Sequence, residues 1–167
     1  MTAMTYYHLS AVQHPIGAIL QPGNWGRRLD RSRYWNPAGQ QITIDGFNEP
    51  WRLASEMTLE AIRAAEFGDR PSRLSCVFVM DGAKAVDTCR GYLGGNPYLY
   101  EVELQSPTAK TFVADFSLLN GANRFAIGVD FLPHNRDIAR RYWRGGSCAA
   151  PEMLTESPIL IRKQLSQ

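Results

Sequence analysis

The sequence predicts a single α+β domain built mainly from antiparallel strands. Three observations carry that expectation. The 167 residues suit one domain, which at this length buries roughly 70% of the surface its unfolded chain exposes. Segments with a two-residue apolar rhythm are short and numerous. Helical patterns fall among them at irregular intervals, unlike the strict strand–helix alternation of a doubly wound sheet. With 44% hydrophobic and 20% charged residues the composition is that of an ordinary globule.

Thr5–Val12 mixes aromatic, β-branched and apolar residues and reads as the first strand. After Pro15, the apolar patch Ile16–Leu20 reads as one or two helical turns, ended by Pro22 and Gly23. Gln21–Asn48 reads as a long irregular segment in which Arg27–Arg33 lies among Trp25, Tyr34 and Trp35. Arginines interleaved with aromatics suit a phosphate-bearing ligand; a solvated loop pinned by aromatics is the plainer alternative. Asn48 is a candidate cap, with Pro50 in the first turn, for a helix whose apolar positions are Trp51, Ala54, Met57, Ala61, Ile62 and Ala65. Gly68 ends it. Leu74–Met80 is apolar on both faces and predicts a central strand. A helix over Ala83–Leu93, strands over Tyr98–Leu104 and Thr111–Asp115, and a helix over Arg136–Trp143 capped by Asn135 follow. Two last strands, around Met153–Thr155 and Ile159–Arg162, are divided at Ser157–Pro158.

A net charge of +2 gives no independent case for nucleic acid. No apolar run approaches the length of a membrane span, and no secretory leader is visible, so a cytoplasmic setting is expected; delivery into another cell by a secretion system is compatible with this. Cys76, Cys89 and Cys148 form no C-x-x-C pair and read as reduced thiols, Cys76 within core packing. No G-x-G-x-x-G, Walker loop, G-x-S-x-G or H-E-x-x-H occurs, and no metal is expected. Of the three histidines, His14 and His134 adjoin prolines and read as loop residues. His8 lies inside the first strand, where a lone histidine is more often a packing residue than a functional one.

Several segments carry a resemblance in a fixed order. These are Tyr6-Tyr7-His8, Pro71–Ser75 before an apolar strand, Tyr100–Leu104, Tyr142–Gly145 and Pro151–Leu154. Together they resemble a bacterial and phage family of domains of unknown function, and the chain looks like an ADP-ribosyltransferase-fold protein. The runs YHLSAVQHPIGAILQPG and PEMLTESPI are also similar, more loosely, to the transferases that attach ADP-ribose to DNA. The resemblance implies a split β-sandwich of two small, mostly antiparallel sheets with flanking helices. It implies NAD as co-substrate, a macromolecular acceptor that is protein or nucleic acid, and a toxin, effector or phage-related role. Glu152 takes the catalytic position, stabilising oxocarbenium-like charge on the ribose. His8 and Ser10 from the first strand, Trp25, Arg27, Arg73, Ser75 and Phe78 take cofactor-binding positions. In this carry-over His8 orients the dinucleotide, Arg73 or Arg27 pairs with the pyrophosphate, and Ser75 and Phe78 line the nicotinamide pocket. The family's second-motif tyrosine has no counterpart within Ser72–Met80, and Ala150 stands two residues before Glu152 where arginine-modifying enzymes carry a second glutamate. An ADP-ribosyltransferase-type module that binds without turnover is therefore the alternative.

Overall fold

A computed structural model describes residues 5–31, 48–93, 95–119 and 136–166 of the chain. The strands are β1 (Tyr6–Ser10), β2 (Ile19–Leu20), β3 (Val77–Asp81), β4 (Tyr98–Leu104), β5 (Thr111–Asp115), β6 (Pro151–Thr155) and β7 (Ile159–Ser166). The helices are α1 (Asn24–Arg31), α2 (Asn48–Glu66), α3 (Ala83–Leu93) and α4 (Arg136–Arg144), with 3-10 turns at Arg73–Ser75 and Phe116–Leu119. The candidate ligand residues Tyr34 and Trp35, His134 and the Asn135 cap lie outside the described residues, as do the side chains of Asn48 and Trp51.

The expected pair of sheets is corrected by the strand pairing. The seven strands of the described residues form one antiparallel sheet in the order β2-β7-β4-β1-β3-β6-β5. The cause is β1, which is hydrogen-bonded on both edges. Tyr6 and Tyr7 pair with Asp81 and Met80 of β3, while the whole of β1 pairs with β4 from Tyr6↔Val102 to Ser10↔Tyr98. The sheet curls into a half-barrel. Val77, Val79 and Met153 from the β3–β6 half meet Tyr100, Val102, Ile159 and Ile161 from the β4–β7 half in a single cluster, although β1 separates these strands in the ladder.

The outer face is covered by helices. Leu59 and Ile62 of α2 and Ile138, Ala139, Tyr142 and Trp143 of α4 pack on Phe112, Ala114 and Leu154. The Trp143 indole N–H donates to the Leu59 carbonyl at 2.8 Å and its ring meets Tyr142 edge-on at 4.9 Å. Farther along this face, Ala85, Val86 and Cys89 of α3 pack on Met80, Ala150, Tyr7, Leu9 and Leu99. Both faces of β3 and β6 are thus covered, which explains their continuous apolar runs.

Three local expectations change. Ile16–Leu20 is not helical: Gly17 has φ 87°, and Ile19–Leu20 pairs with β7 as a short edge strand. Within Gln21–Asn48, the chain forms α1 rather than irregular loop from Asn24 to Arg31. Gly26 makes this possible, because a Cβ there would stand 2.3 Å from the Leu74 carbonyl oxygen; the helix docks backbone to backbone on the Arg73–Ser75 turn. In α2, the inward stripe is Ser55, Glu56, Leu59 and Ile62, whereas Met57, Ala61 and Ala65 face solvent. Among the described residues no helix is long and apolar enough to cross a membrane.

Candidate buried charge centre

The segment Pro71–Ser75 sets the site. The Ser72 hydroxyl accepts from the Leu74 N–H at 3.1 Å and starts a single 3-10 turn, and it donates to Glu60 at 2.8 Å. That anchored turn directs the Arg73 side chain inward beneath α2 and α4, leaving the residue 5% exposed. The Arg73 Nε–H lies between the two carboxylate oxygens of Glu56, at 3.1 and 3.0 Å. Its Nη1 donates to the Tyr142 hydroxyl and to Glu152 Oε1. The Tyr142 hydroxyl in turn donates to the same Oε1 at 2.6 Å. The guanidinium carbon sits 4.7 Å from the Phe78 ring centre and 5.2 Å from that of Tyr142. Four elements therefore converge: α2 supplies Glu56, the turn Arg73, α4 Tyr142 and β6 Glu152.

One guanidinium serves two carboxylates in a place nearly without water. Burial pushes the Glu152 carboxyl above its ordinary range; Arg73 and Tyr142 oppose this, and Glu56 adds to it. Burial acts against the charge of Arg73, but Glu152 and Glu56 outweigh it and hold the guanidinium charged well beyond its ordinary range. Burial raises the Tyr142 hydroxyl as well, with Arg73 opposing. Ionisable residues displaced in this way, and held by named partners, mark candidate functional sites, although structural ion-pair networks share the signature.

The strand register separates the expected pair His8 and Glu152. Val79 pairs with Met153, so their neighbours Met80 and Glu152 lie on the helix-covered face, and Tyr7, opposite Met80, shares it. His8, one residue on and opposite Tyr100, projects to the concave face. The β1–β3 ladder stops after Tyr7, and the His8 Nδ1–H donates to the Phe78 carbonyl at 2.8 Å across the parting strands. Burial lowers the His8 pKa; the Phe78 bond opposes this, and His14 contributes to the lowering. Ser10 is nearby on β1, its hydroxyl bonded to His14 Nε2 at 3.0 Å and accepting from the Val12 N–H at 3.1 Å.

Of the positions implied by the resemblance, the structure brings Arg73, Phe78 and Glu152 together. It sets His8 and Ser10 on the far face. Trp25 and Arg27 stand on α1, with Arg27 donating to the Pro22 carbonyl at 3.1 Å, and α1 docks beside the exposed Ser75. Glu56 and Tyr142 are members that the sequence reading did not nominate as ligands of this group. Their signals were a glutamate three residues before the buried Leu59 and a tyrosine in the Tyr-Trp pair of α4.

The thiols stay protonated. Burial pushes Cys76 far up and Cys89 up to about 12, and raises Cys148. Among the described residues no group of three or more His, Cys, Asp or Glu side chains is placed to hold a metal ion.

The model of a protein family described as of unknown function (DUF2441) matches residues 24–167. No curated protein matches the chain. The matched span takes in Glu56, Arg73, Tyr142 and Glu152, and begins after β1 with His8 and Ser10. Covering the greater part of the 167 residues, the match establishes that the chain belongs to the DUF2441 family.

Proposed function

We propose that the protein cleaves the bond between nicotinamide and ribose in NAD and transfers the ADP-ribosyl group to a macromolecular acceptor, or to water. In that reaction the N-glycosidic bond breaks, nicotinamide leaves with the bonding electrons, and the acceptor atom bonds to the ribose carbon and gives up its proton. Positive charge develops on the sugar before the new bond is complete. One observation supports the reading: Glu152, at the position the resemblance assigns to the catalytic carboxylate, is fixed in advance by Arg73 and Tyr142. A carboxylate whose orientation is already set stabilises developing charge without reorganisation. Arg73 is committed to Glu56 and Glu152, so the pyrophosphate falls to the exposed Arg27. His8, on the other face, positions β1 against Phe78 rather than the reacting ribose.

The test is release of nicotinamide and transfer of label from NAD by the purified protein, with protein and nucleic-acid acceptors offered separately. Glu152→Gln, checked for folding, is expected to lose about 100-fold or more of the rate. Absence of turnover by the native protein, or full activity in the variant, overturns the reading.

A second reading is binding of NAD or ADP-ribose without cleavage. It is favoured by the 6% exposure of Glu152 and by the two donors already on its Oε1. Thermal stabilisation by both ligands with no nicotinamide released selects this reading. A ligand at 100 times its Kd stabilises by about 2.7 kcal/mol.

A further inference from the structure

We propose that Glu56 is a positioning residue for Glu152, acting through Arg73 to fix the guanidinium and to divide its charge between two carboxylates. The inference rests on the reading of Glu152 as the working carboxylate.

The geometry carries it. Glu56 is 5% exposed on a helix whose core stripe is otherwise small or apolar at Ser55, Leu59 and Ile62. An ionised side chain is expensive at such a position unless it has a partner of opposite charge. Both of its oxygens are spent on Arg73 Nε. Arg73 then reaches Glu152 through the other end of the same planar group, so the two carboxylates sit on opposite flanks of one fork. With Glu56 on Nε, the guanidinium meets Glu152 through a single nitrogen, Nη1. Glu152 receives one arginine N–H and the Tyr142 hydroxyl, and the centre sets two carboxyl groups against one guanidinium. That surplus is what a group meeting positive charge on a sugar requires; a one-to-one pair of Arg73 and Glu152 would be neutral.

Other titratable groups also face the centre. Cys76 lies at the start of β3 and Cys89 on α3, while Asp115 at the end of β5 and Cys148 before β6 lie farther out on the same side. Burial holds the thiols neutral. Burial also acts to raise Asp115, but the Ser117 hydroxyl and the N–H groups of Ala150, Ala149 and Ser117 outweigh it and hold its carboxyl below the ordinary range. Among the described residues, this leaves Glu56 as the acidic side chain in direct contact with Arg73 besides Glu152.

The experiment follows the carboxyl carbons of glutamate by NMR across pH in the native protein and in Glu56→Gln, which keeps an acceptor for the Arg73 Nε–H and removes the charge. In Glu56→Gln, the Glu152 titration is expected to shift to lower pH. In the same variant the pH profile of nicotinamide release is expected to shift in the same direction. An unchanged Glu152 titration in a folded Glu56→Gln overturns the proposal, because a merely structural Glu56 would alter stability without moving that curve. Should Glu56→Gln not fold, the native protein decides. The Glu56 carboxyl signal is expected to respond at the pH where Glu152 takes its proton, and a Glu56 signal insensitive to that event overturns the proposal. A displaced Glu152 titration in a protein that releases no nicotinamide upholds the positioning role and removes the enzymatic reading.

Discussion

The two faces of the sheet solve the burial of ionisable groups in opposite ways. On the helix-covered face, Glu56, Arg73 and Glu152 are buried as a connected charged group with Tyr142 completing it. On the concave face, His8 and His14 sit beside an apolar cluster, and burial favours their neutral forms. Arg73 keeps its charge because Glu56, Tyr142 and Glu152 supply partners; where only a carbonyl or a hydroxyl is at hand, the imidazoles favour the neutral form. Function, if it depends on a fixed charge, belongs to the first face. The second face joins the two halves of the sheet.

The largest effect expected from this contrast is that of Arg73→Met. It strands two buried carboxylates, and such a loss costs about 3–5 kcal/mol. Urea denaturation measures it, and a loss below about 1 kcal/mol would mean that the cluster is not charged as described. Tyr142→Phe keeps the ring against Trp143 and removes one hydroxyl from Arg73 and Glu152; its cost is about 1–3 kcal/mol in the same assay. A neutral result would leave the hydroxyl outside the network.

The smallest effect separates the faces by the sign of their pH response. The folded pKa of His8 is below the ordinary imidazole value of 6.5, so the unfolded chain binds the proton more readily. Its contribution is complete above pH 6.5 and is lost as the pH falls below that value. For Glu152 the folded value is above 4.5, so the folded chain binds the proton more readily and acidification towards 4.5 acts in the stabilising direction. His8→Gln is therefore expected to flatten the fall in stability just below pH 6.5 while leaving the Glu152 contribution intact. An unaltered slope would show that His8 is not a partly buried neutral group.

Local structure was legible wherever one rule sufficed. The alternation in Tyr98–Leu104 and Thr111–Asp115, and the helical pattern of Ala83–Leu93, correspond to observed elements. The α2 helix was legible but its face was not, because Glu56 at a core position breaks the apolar rhythm and lets Met57, Ala61 and Ala65 suggest the wrong stripe. Ile16–Leu20 is too short for periodicity to separate a turn from an edge strand. The α1 helix was hidden because its glycine, normally a breaker, is required by a contact with Leu74. The single sheet depends on two residue pairs between β1 and β3, which no local pattern reports. For the site, the resemblance brought out Arg73 and Glu152 together. It also joined His8 to them, since sequence order carries no information about which side of a strand a residue takes once registers are fixed by distant partners.

The shortness of the β1–β3 ladder has a practical consequence. A fragment beginning at Asn24 would keep the helix-side cluster yet lack the strand that fills the gap between β3 and β4. Two hydrogen-bonding edges would then lie open towards one vacant slot, a template for self-association. The same slot would accept a synthetic peptide of the β1 sequence added in trans, by strand addition. Complementation of that kind would turn the central strand into a removable part, through which the two halves could be studied joined or apart.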